Sequence, residues 1–325
     1  MGRQSTRPPR DMKTNAKLAF VFPGQGSQSV GMLTALAAQY PIVNKIYQDA
    51  SRALGYDLWQ LTQKGPEMEL NTTMKTQPAL LTASVATWKI WKERGGTDPA
   101  FMAGHSLGEY SALVCAGALD FHDAVSLVAE RGRYMQEAVP EGTGAMAAIL
   151  GLSDGEVIEI CRQAAQGQIV TAANFNSPAQ VVIAGHCEAV KRAIALAAAA
   201  GAKRSIVLPV SVPSHCALMQ QAARQFTACL QNITITPGAI PVIHNVDVST
   251  KNDGRSIKQA LIEQLYQPVR WVDTIHLLAN RGITHIIECG PGKVLSGLIK
   301  RIDRHMETFS VSDPEALDKA LAALP

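Results

Sequence analysis

The sequence predicts an α/β fold in which a small domain interrupts a large domain built on a mainly parallel sheet. Three observations lead to this prediction. Short apolar segments typical of buried strands alternate with amphipathic helical segments along most of the chain. One of these strands runs into a serine flanked by glycines and then into a helix. Near the middle, the order of predicted elements becomes strand, helix, strand, strand, helix, strand. An α/β-hydrolase-like domain with a ferredoxin-like insertion accounts for all three.

The N-terminal segment differs from the rest of the chain. Residues 1–16 contain two adjacent prolines, scattered basic residues and no hydrophobic period, which is typical of a disordered basic tail. The net charge of the chain is +3, but the first 17 residues hold five basic residues against one acidic residue, so the remainder is nearly neutral. No basic face with aromatic residues follows, and we expect no nucleic-acid partner.

Cysteine usage and hydropathy favour a cytoplasmic protein. The six cysteines form no C-x-x-C pair and show no metal-ligand spacing, and no apolar signal segment precedes the first predicted strand. Long uncharged segments are interrupted by Pro, Asn, Gln and His, so we expect no membrane span. Cys216 follows a candidate catalytic histidine, yet a buried packing cysteine is the better interpretation. We expect reduced thiols and no metal site.

The first predicted strand, residues 17–22, leads into the glycine-containing loop 23–28, where the backbone can approach a ligand closely. On the residues alone, a tight turn explains this loop equally well, because the Rossmann spacing is absent. Apolar residues then recur at helical spacing through residues 31–61 and 76–93. Trp88 and Trp91 lie on one face of the second stretch, which predicts core packing.

The pattern of residues 101–117 predicts a nucleophile elbow. An apolar strand ends at Gly104, Ser106 follows two residues later, and Gly108 opens an amphipathic helix. The glycines leave room for a sharp turn that presents the serine at the helix N-terminus, where backbone N–H groups can hold an oxyanion. Ser106 is therefore the predicted nucleophile. The alternative is a strand-to-helix turn whose serine only caps the helix.

Two further residues are candidates for the same site. A helix capped by Asp120 and running to about residue 137 carries Arg131 among apolar residues, although most helix arginines are solvated or ion-paired. His215 follows a strand that ends at Pro213 and is predicted to begin a helix reaching about residue 230. It is a candidate general base among eight histidines. His105 is a poor rival, because a neighbour of the elbow serine should point away from it.

The remaining segments complete the two predicted domains. Residues 141–210 supply the insertion, with strands at 145–150, 169–175, 180–184 and 205–210 and helices at 153–166 and 187–200. Residues 17–140 and 211–325 form the large domain, whose later elements are strands at 240–244 and 284–289 and helices near 256–266, 268–281 and 313–324. The segment Gly-Pro-Gly-Lys at 290–293 lacks the spacing of a nucleotide-binding P-loop.

Several motifs together resemble malonyl-CoA:acyl carrier protein transacylases over about residues 17–310. In chain order they are Phe-Val-Phe-Pro-Gly-Gln-Gly-Ser-Gln at 20–28, Gly-His-Ser-Leu-Gly-Glu-Tyr at 104–110, Glu-Arg-Gly-Arg at 130–133, Val-Pro-Ser-His at 212–215, Gln-Leu-Tyr-x-Pro-Val-x-Trp at 264–271 and Glu-x-Gly-Pro-Gly-Lys-Val-Leu at 288–295. As a set in this order they are highly specific. The resemblance implies a discrete, cytoplasmic enzyme of type II fatty acid synthesis.

The resemblance also implies roles for individual residues. Ser106 would carry the malonyl group in a ping-pong cycle, with His215 as the base and a backbone carbonyl at Gln264 orienting that histidine. The backbone N–H groups of Gln25 and Leu107 would form the oxyanion hole. A guanidinium fork can hold a carboxylate by two parallel hydrogen bonds, so the family role of Arg131 is to bind the malonyl carboxylate.

The resemblance further implies malonyl-CoA as substrate, no permanently bound cofactor, and an acidic, phosphopantetheinylated acyl carrier protein as partner. We expect a monomer whose carrier-docking residues are basic, the candidates being Lys191, Arg192, Lys203, Arg204, Lys300 and Arg301. The main alternative function is a serine thioesterase or hydrolase, which shares the elbow and the base. A noncatalytic carrier-docking module and a domain of a larger synthase are further alternatives.

Overall fold

Two sheets organise the protein, whose computed structural model describes residues 14–210 and 212–324. The strands of this part of the chain are β1 (Thr14–Phe22), β2 (Asp98–Gly104), β3 (Gly144–Leu150), β4 (Val170–Ser177), β5 (Gln180–His186), β6 (Arg204–Val207), β7 (Val242–Ile243), β8 (His285–Glu288) and β9 (Glu307–Ser310). The first sheet has the order β7-β2-β1-β8-β9 and the second β4-β5-β3-β6.

Helices connect and cover these strands. They are α1 (Thr34–Gln39), α2 (Ile42–Leu54), α3 (Leu58–Lys64), α4 (Glu67–Leu70), α5 (Thr73–Glu93), α6 (Gly108–Cys115), α7 (Phe121–Glu137), α8 (Asp154–Ala165), α9 (Cys187–Ala199), α10 (Gln220–Gln231), α11 (Gly254–Glu263), α12 (Trp271–Asn280), α13 (Val294–Ile302) and α14 (Pro314–Ala323). The helical stretch at 31–61 is divided into separate helices. Pro41, which lacks a backbone N–H, precedes α2, and Gly55 ends α2 in a left-handed conformation that glycine adopts readily.

The five-stranded sheet is parallel throughout its described pairs, which confirms the mainly parallel prediction. Strand β9 is an addition that the sequence did not predict. Because the carboxyl ends of parallel strands meet at one edge, the loops after β1, β2, β7 and β8 all emerge there. The loop after β2, which carries Ser106, therefore lies between the loops that follow β1 and β7.

The four-stranded sheet is antiparallel and confirms the ferredoxin-like prediction. Helices α8 and α9 pack on one face through a cluster that includes Val157, Ala193 and Ile183. The opposite face packs against Cys216 of the chain that returns to the large sheet. Cys216 is buried in this cluster, which confirms the predicted packing role, and burial also raises the pKa of its thiol to about 11.

Helix α5 is the central element of the largest hydrophobic core. It is buried on most of its faces rather than on one stripe, because α2 and α7 also pack against it. Trp88 and Trp91 both make edge-to-face contacts with Phe20 of β1, with ring centroids 5.1 and 5.3 Å apart. The predicted core role of these tryptophans is confirmed, and the helix is anchored directly on the parallel sheet.

Several boundaries differ from the sequence prediction: β6 ends at Val207 rather than at residue 210, β7 covers only Val242–Ile243 of the predicted 240–244, and α13 was not predicted. Two further differences concern the N-terminal segment and His215. Strand β1 begins at Thr14, so residues 14–16 of the predicted tail are strand, while residues 1–13 lie outside the described residues. The expected helix start at His215 is wrong. His215 has a left-handed backbone with φ of 62°, which a right-handed helix cannot contain, and a 3₁₀ turn over Ala217–Met219 precedes α10 instead.

Candidate active site

Ser106 sits on a strained turn between β2 and α6. Its φ is 50°, in the left-handed region that non-glycine residues rarely adopt. A Cβ at Gly104 would lie 1.9 Å from the carbonyl carbon of Gly108, and a Cβ at Gly108 would lie 2.0 Å from the carbonyl oxygen of Phe22. Only glycine fits at either position, as expected for a nucleophile elbow.

His215 completes a hydrogen-bonded pair with the serine. Its Nε2 lies 2.8 Å from Ser106 Oγ, and its Nδ1 lies 2.7 Å from the backbone oxygen of Gln264. A carbonyl oxygen can only accept, so Nδ1 carries the proton and Nε2 is free to accept from the serine hydroxyl. The backbone N–H of His215 donates to the oxygen of Leu265, which fixes the histidine backbone to the same segment.

The histidine is held in its neutral form. Burial, followed by the positive charge of Arg131, lowers the pKa of His215 to about 3, although its hydrogen bond to Gln264 acts in the opposite direction. At neutral pH the imidazole is therefore unprotonated. That is the state in which Nε2 can take a proton from Ser106.

Arg131 reaches the site from the inner face of α7. Its side chain is buried, with 1% of its surface exposed. Nη1 donates to Gln77 Oε1 at 2.8 Å, while Nη2 donates to Gln264 Oε1 at 2.9 Å and to Ser106 Oγ at 3.3 Å. Its guanidinium lies 5.3 Å from the ring centroid of Tyr110. The charge is thus adjacent to Ser106, and a five-donor guanidinium retains N–H groups for another acceptor.

Sequence reasoning assigned Gln264 only a backbone contact, but its side chain is equally engaged. Nε2 donates to the backbone oxygen of Ser106 at 3.0 Å and to Glu109 Oε2 at 2.9 Å. Because Oε1 accepts from Arg131, the orientation of the amide is fixed by partners on both sides. Gln264 therefore joins the histidine, the arginine and the serine turn.

Sequence reasoning missed Asn245, Glu109 and His244. Asn245 Oδ1 accepts from the backbone N–H of Ser106 at 2.8 Å, and Nδ2 donates to the oxygen of Gly104 at 2.7 Å, so this side chain braces the elbow. Glu109 Oε1 lies 2.7 Å from His244 Nδ1. Two signals were available: a carboxylate inside an apolar helix, and polar residues directly after a parallel strand.

Leu107 and Gln25 belong to two neighbouring loops, the first after β2 and the second after β1. Leu107 is buried at the start of α6, and Gln25 is exposed in the loop after β1, where its side chain donates to Thr73 at 3.3 Å. Neither backbone N–H has a hydrogen-bond acceptor among residues 14–210 and 212–324. Gly24, next to Gln25, is so close to His105 that a Cβ there would lie 2.5 Å from the His105 carbonyl oxygen.

His105 turns towards the antiparallel sheet and not towards a catalytic partner. Its Nε2 lies 2.8 Å from Asn176 Oδ1, and burial lowers its pKa while this hydrogen bond opposes the change. The backbone N–H of Phe175 donates to Val269 at 3.0 Å, which adds a second contact between β4 and the large domain. The antiparallel sheet thus forms one wall beside the serine.

Two kinds of feature are absent from the described part of the chain. No group of three or more His, Cys, Asp or Glu side chains there could hold a metal ion. No helix of that part combines the length and the apolar character needed to cross a membrane.

Comparisons with known proteins agree with this geometry. The family model for the acyl transferase domain matches residues 19–312. A malonyl CoA-acyl carrier protein transacylase of Escherichia coli K12 is 59% identical over 94% of this chain and 99% of its own length. The solved transacylase of Coxiella burnetii is 55% identical, covers 95% of this chain and 98% of its own, and superposes with a TM-score of 0.94.

A third relative was solved as a complex. It is a malonyl-transacylase bound to the acyl-carrier protein of a type II polyketide synthase, and it is 54% identical over 94% of this chain and 99% of its own, with a TM-score of 0.94. Identity above half over nearly complete chains, together with the matched family model, decides the assignment. The chain belongs to the malonyl-CoA:acyl carrier protein transacylase family.

Proposed function

We propose that this protein transfers a malonyl group from coenzyme A to the phosphopantetheine thiol of an acyl carrier protein, through a malonyl ester on Ser106. The observation that carries the proposal is the position of a buried guanidinium beside the nucleophile, since Arg131 Nη2 lies 3.3 Å from Ser106 Oγ. A cation there suits an acyl group that ends in a carboxylate. This activity supplies malonyl groups for fatty acid synthesis.

In the first half-reaction, Ser106 Oγ attacks the thioester carbon while His215 Nε2 takes its proton. The carbonyl becomes a tetrahedral oxyanion, and the unoccupied N–H groups of Leu107 and Gln25 are the proposed donors to it. The carbon–sulfur bond then breaks, and the histidine returns its proton to the coenzyme A thiolate. Gln264 keeps the imidazole oriented through its backbone oxygen, so no carboxylate is needed in that position.

In the second half-reaction, the carrier thiol enters and His215 accepts its proton. The thiolate attacks the malonyl ester, and Ser106 leaves with the proton from the histidine. In both half-reactions Arg131 binds the malonyl carboxylate, and these hydrogen bonds take the place of its contact with the Ser106 hydroxyl. Acetyl groups lack this anchor, which is the proposed basis of selectivity.

The six basic residues proposed for carrier docking differ in their surroundings. Lys191 is paired with Glu188 on the exposed side of α9. Arg192 donates to the backbone oxygen of Ala164 at the end of α8, which gives it a structural role. These two contacts weaken the docking prediction for both residues.

We propose the other four basic residues, Lys203, Arg204, Lys300 and Arg301, as the carrier-binding cluster. Gln180 and Arg204 both pair with Leu150 of β3, from the strands on either side of it, and Arg301 Nη1 donates to Gln180 Oε1 at 2.8 Å. The two arginines therefore lie at the same end of the antiparallel sheet. Asn176, which contacts His105, is in the hairpin next to Gln180. The cluster therefore adjoins the active-site wall.

Charge reversal tests this surface. The double variant Arg204→Glu, Arg301→Glu should raise the KM for the carrier by about tenfold or more and flatten its dependence on salt. Lys191→Glu, on the same domain but away from the cluster, is the matched control and should behave like the wild type. Equal KM values and equal salt slopes in all three proteins would refute the docking surface.

Further proposals concern organisation. We propose that residues 141–210 are an inserted domain, and that the protein acts as a cytoplasmic monomer without a permanently bound cofactor. The antiparallel connectivity supports the first, and the six free thiols support a reducing compartment. Size-exclusion chromatography with light scattering tests the monomer, since a mass near twice 34.8 kDa would contradict it.

The function itself is tested by intact-protein mass spectrometry after brief exposure to malonyl-CoA, followed by addition of a phosphopantetheinylated carrier. We expect a malonyl adduct on Ser106 that moves to the carrier, and no adduct on Ser106→Ala. An adduct that is lost to water at the same rate with and without the carrier would favour the thioesterase alternative. Absence of any adduct would refute covalent acyl transfer.

A further inference from the structure

The buried charge of Arg131 has no direct counterion among the residues that the structure describes. The ion pairs found among residues 14–210 and 212–324 include none made by this arginine. Its acceptors are the neutral oxygens of Gln77, Gln264 and Ser106. A buried cation is costly unless its charge is compensated nearby. The structure must therefore supply compensation from farther away.

Glu109 has the complementary property. It is fully buried in α6, where its Oε1 lies 2.7 Å from His244 Nδ1 and its Oε2 accepts from the backbone N–H of Asn245 at 2.9 Å. Oε2 also accepts from Gln264 Nε2 at 2.9 Å. An ionised carboxyl group only accepts hydrogen bonds, and each of these three partners has a nitrogen that can donate to it. Arg131 and Glu109 are thus a buried cation and a buried anion on two packed helices.

One amide lies between the two charges. Gln264 Oε1 accepts from Arg131 while its Nε2 donates to Glu109, so the amide dipole is aligned between cation and anion. We propose that Glu109 is the counter-charge of Arg131, acting through the Gln264 side chain, and that it sets how strongly Arg131 binds a substrate carboxylate. Glu109 is a positioning residue, since it does not touch the serine. This inference rests on the proposed malonyl transfer.

The arrangement explains how the arginine is stable and still available. A carboxylate in direct contact would occupy the guanidinium fork and compete with the substrate. A counter-charge one amide away stabilises the cation yet leaves N–H groups for the incoming carboxylate. The Nε of Arg131 has no hydrogen-bond partner among the described residues. Removing the charge of Glu109 should therefore strengthen binding of a carboxylate while leaving an uncharged acyl group unaffected.

A double-mutant cycle tests the charge coupling without reference to activity. Glu109→Gln, Arg131→Met and the double variant are unfolded in urea beside the wild type. We expect the double variant to lose less free energy of unfolding than the two single losses together, because it leaves no uncompensated buried charge. The matched cycle of Glu130→Gln with Arg131→Met removes an exposed carboxylate of α7 and should be additive.

Additivity in the Glu109 cycle would overturn the proposal. If Glu109→Gln alone does not fold, a folded double variant would support the coupling. A double variant that also fails to fold would show that the hydrogen bonds of Glu109, and not its charge, are what the fold requires. Either result decides the point.

Substrate selectivity provides the second readout. In Glu109→Gln, the ratio of kcat/KM for malonyl-CoA to kcat/KM for acetyl-CoA should rise about five- to thirtyfold, through a lower KM for malonyl-CoA. This is the size expected when one unit charge is removed roughly 8 Å from the substrate carboxylate, at an effective dielectric constant of about 20 to 40. Glu109→Asp keeps the charge but shortens the reach, so kcat should fall for both substrates without a rise in the ratio.

The outcomes separate the inference from the function on which it rests. A wild-type protein that forms no malonyl adduct would refute the proposed transfer, whatever the variants do. A wild-type protein that forms the adduct, with an unchanged selectivity ratio in Glu109→Gln, would refute the role of Glu109 alone.

Discussion

Two arginines on α7, separated by the single residue Gly132, show how the inner and outer faces of one helix differ. Arg131 is buried and donates only to neutral oxygens near the serine. Arg133 is about one-third exposed, pairs with Glu130 and Glu137 at 2.6 and 3.0 Å, and stacks over the ring of Tyr134 at 4.4 Å. The outer arginine is satisfied by its own helix. The inner one retains binding capacity, which is what a substrate site requires.

The sharpest test of this contrast removes each arginine in turn. Arg131→Ala should lower kcat/KM for malonyl-CoA by about 100-fold or more, because truncating one partner of a buried charge pair costs roughly 2 to 5 kcal/mol. Transfer of acetyl should be spared or raised. Steady-state kinetics with both thioesters and a holo carrier measure the two activities.

Arg133→Ala is the control on the outer face of the same helix, and both of its activities should stay within about twofold of the wild type. Equal losses of malonyl and acetyl transfer in Arg131→Ala would contradict a role in binding the carboxylate. They would indicate a general disturbance of the Ser106 turn instead.

A subtler change tests whether the fork shape or only the charge matters at the inner position. Arg131→Lys keeps a cation but cannot form two parallel hydrogen bonds with a carboxylate. We expect malonyl kcat/KM to fall by about tenfold, between the wild type and Arg131→Ala, with the change mainly in KM. Full wild-type activity would show that charge alone is sufficient.

The sequence was sufficient for the parts of this contrast that depend on local pattern. The elbow was predicted because Gly104 and Gly108 flank the serine, and their contacts explain why no other residue fits. Arg131 was a candidate because of its apolar neighbours on α7, although on the residues alone a solvated or ion-paired arginine is the more common case. Its proposed function followed only from the resemblance, since a helix arginine among apolar residues has no distinctive local signal.

The sequence was insufficient where the site depends on contacts across the fold. Asn245 braces a turn that lies 139 residues earlier in the chain, and Glu109 meets His244 across 135 residues. Neither pairing has a local pattern. The backbone of His215 was mispredicted for the same reason, since its left-handed conformation is held by a hydrogen bond to Leu265 that helix propensity does not reveal.

The pH dependence of acylation should also distinguish the two arginines. Arg131 is the second cause, after burial, of the lowered pKa of His215, which is about 3. In Arg131→Met the burial remains but the cation is absent, so this pKa should rise while staying below the usual 6.5. With a higher pKa, His215 is protonated at a higher pH. The fall of the acylation rate in acid should therefore begin at a higher pH in Arg131→Met than in the wild type.

Acetyl-CoA is the substrate for this measurement, because its acyl group does not titrate. Quenched-flow rates of acetyl-Ser106 formation between about pH 8 and pH 4 should stay level farther into acid in the wild type than in Arg131→Met. Arg133→Met should follow the wild-type profile. An identical profile for all three proteins would show that the arginine charge does not reach the histidine.

The smallest expected effect is on stability at the outer face. The two carboxylates that pair with Arg133 are themselves about half exposed, so solvent screens both pairs, and pairs of this kind within one helix contribute little. Arg133→Ala should therefore change the free energy of unfolding by less than about 1 kcal/mol, measured in urea at low and high salt. A larger, salt-sensitive loss would mean that the ion pairs on the outer face support α7. In that case, the position of the inner arginine would depend on the outer one, and the two faces would be coupled rather than independent.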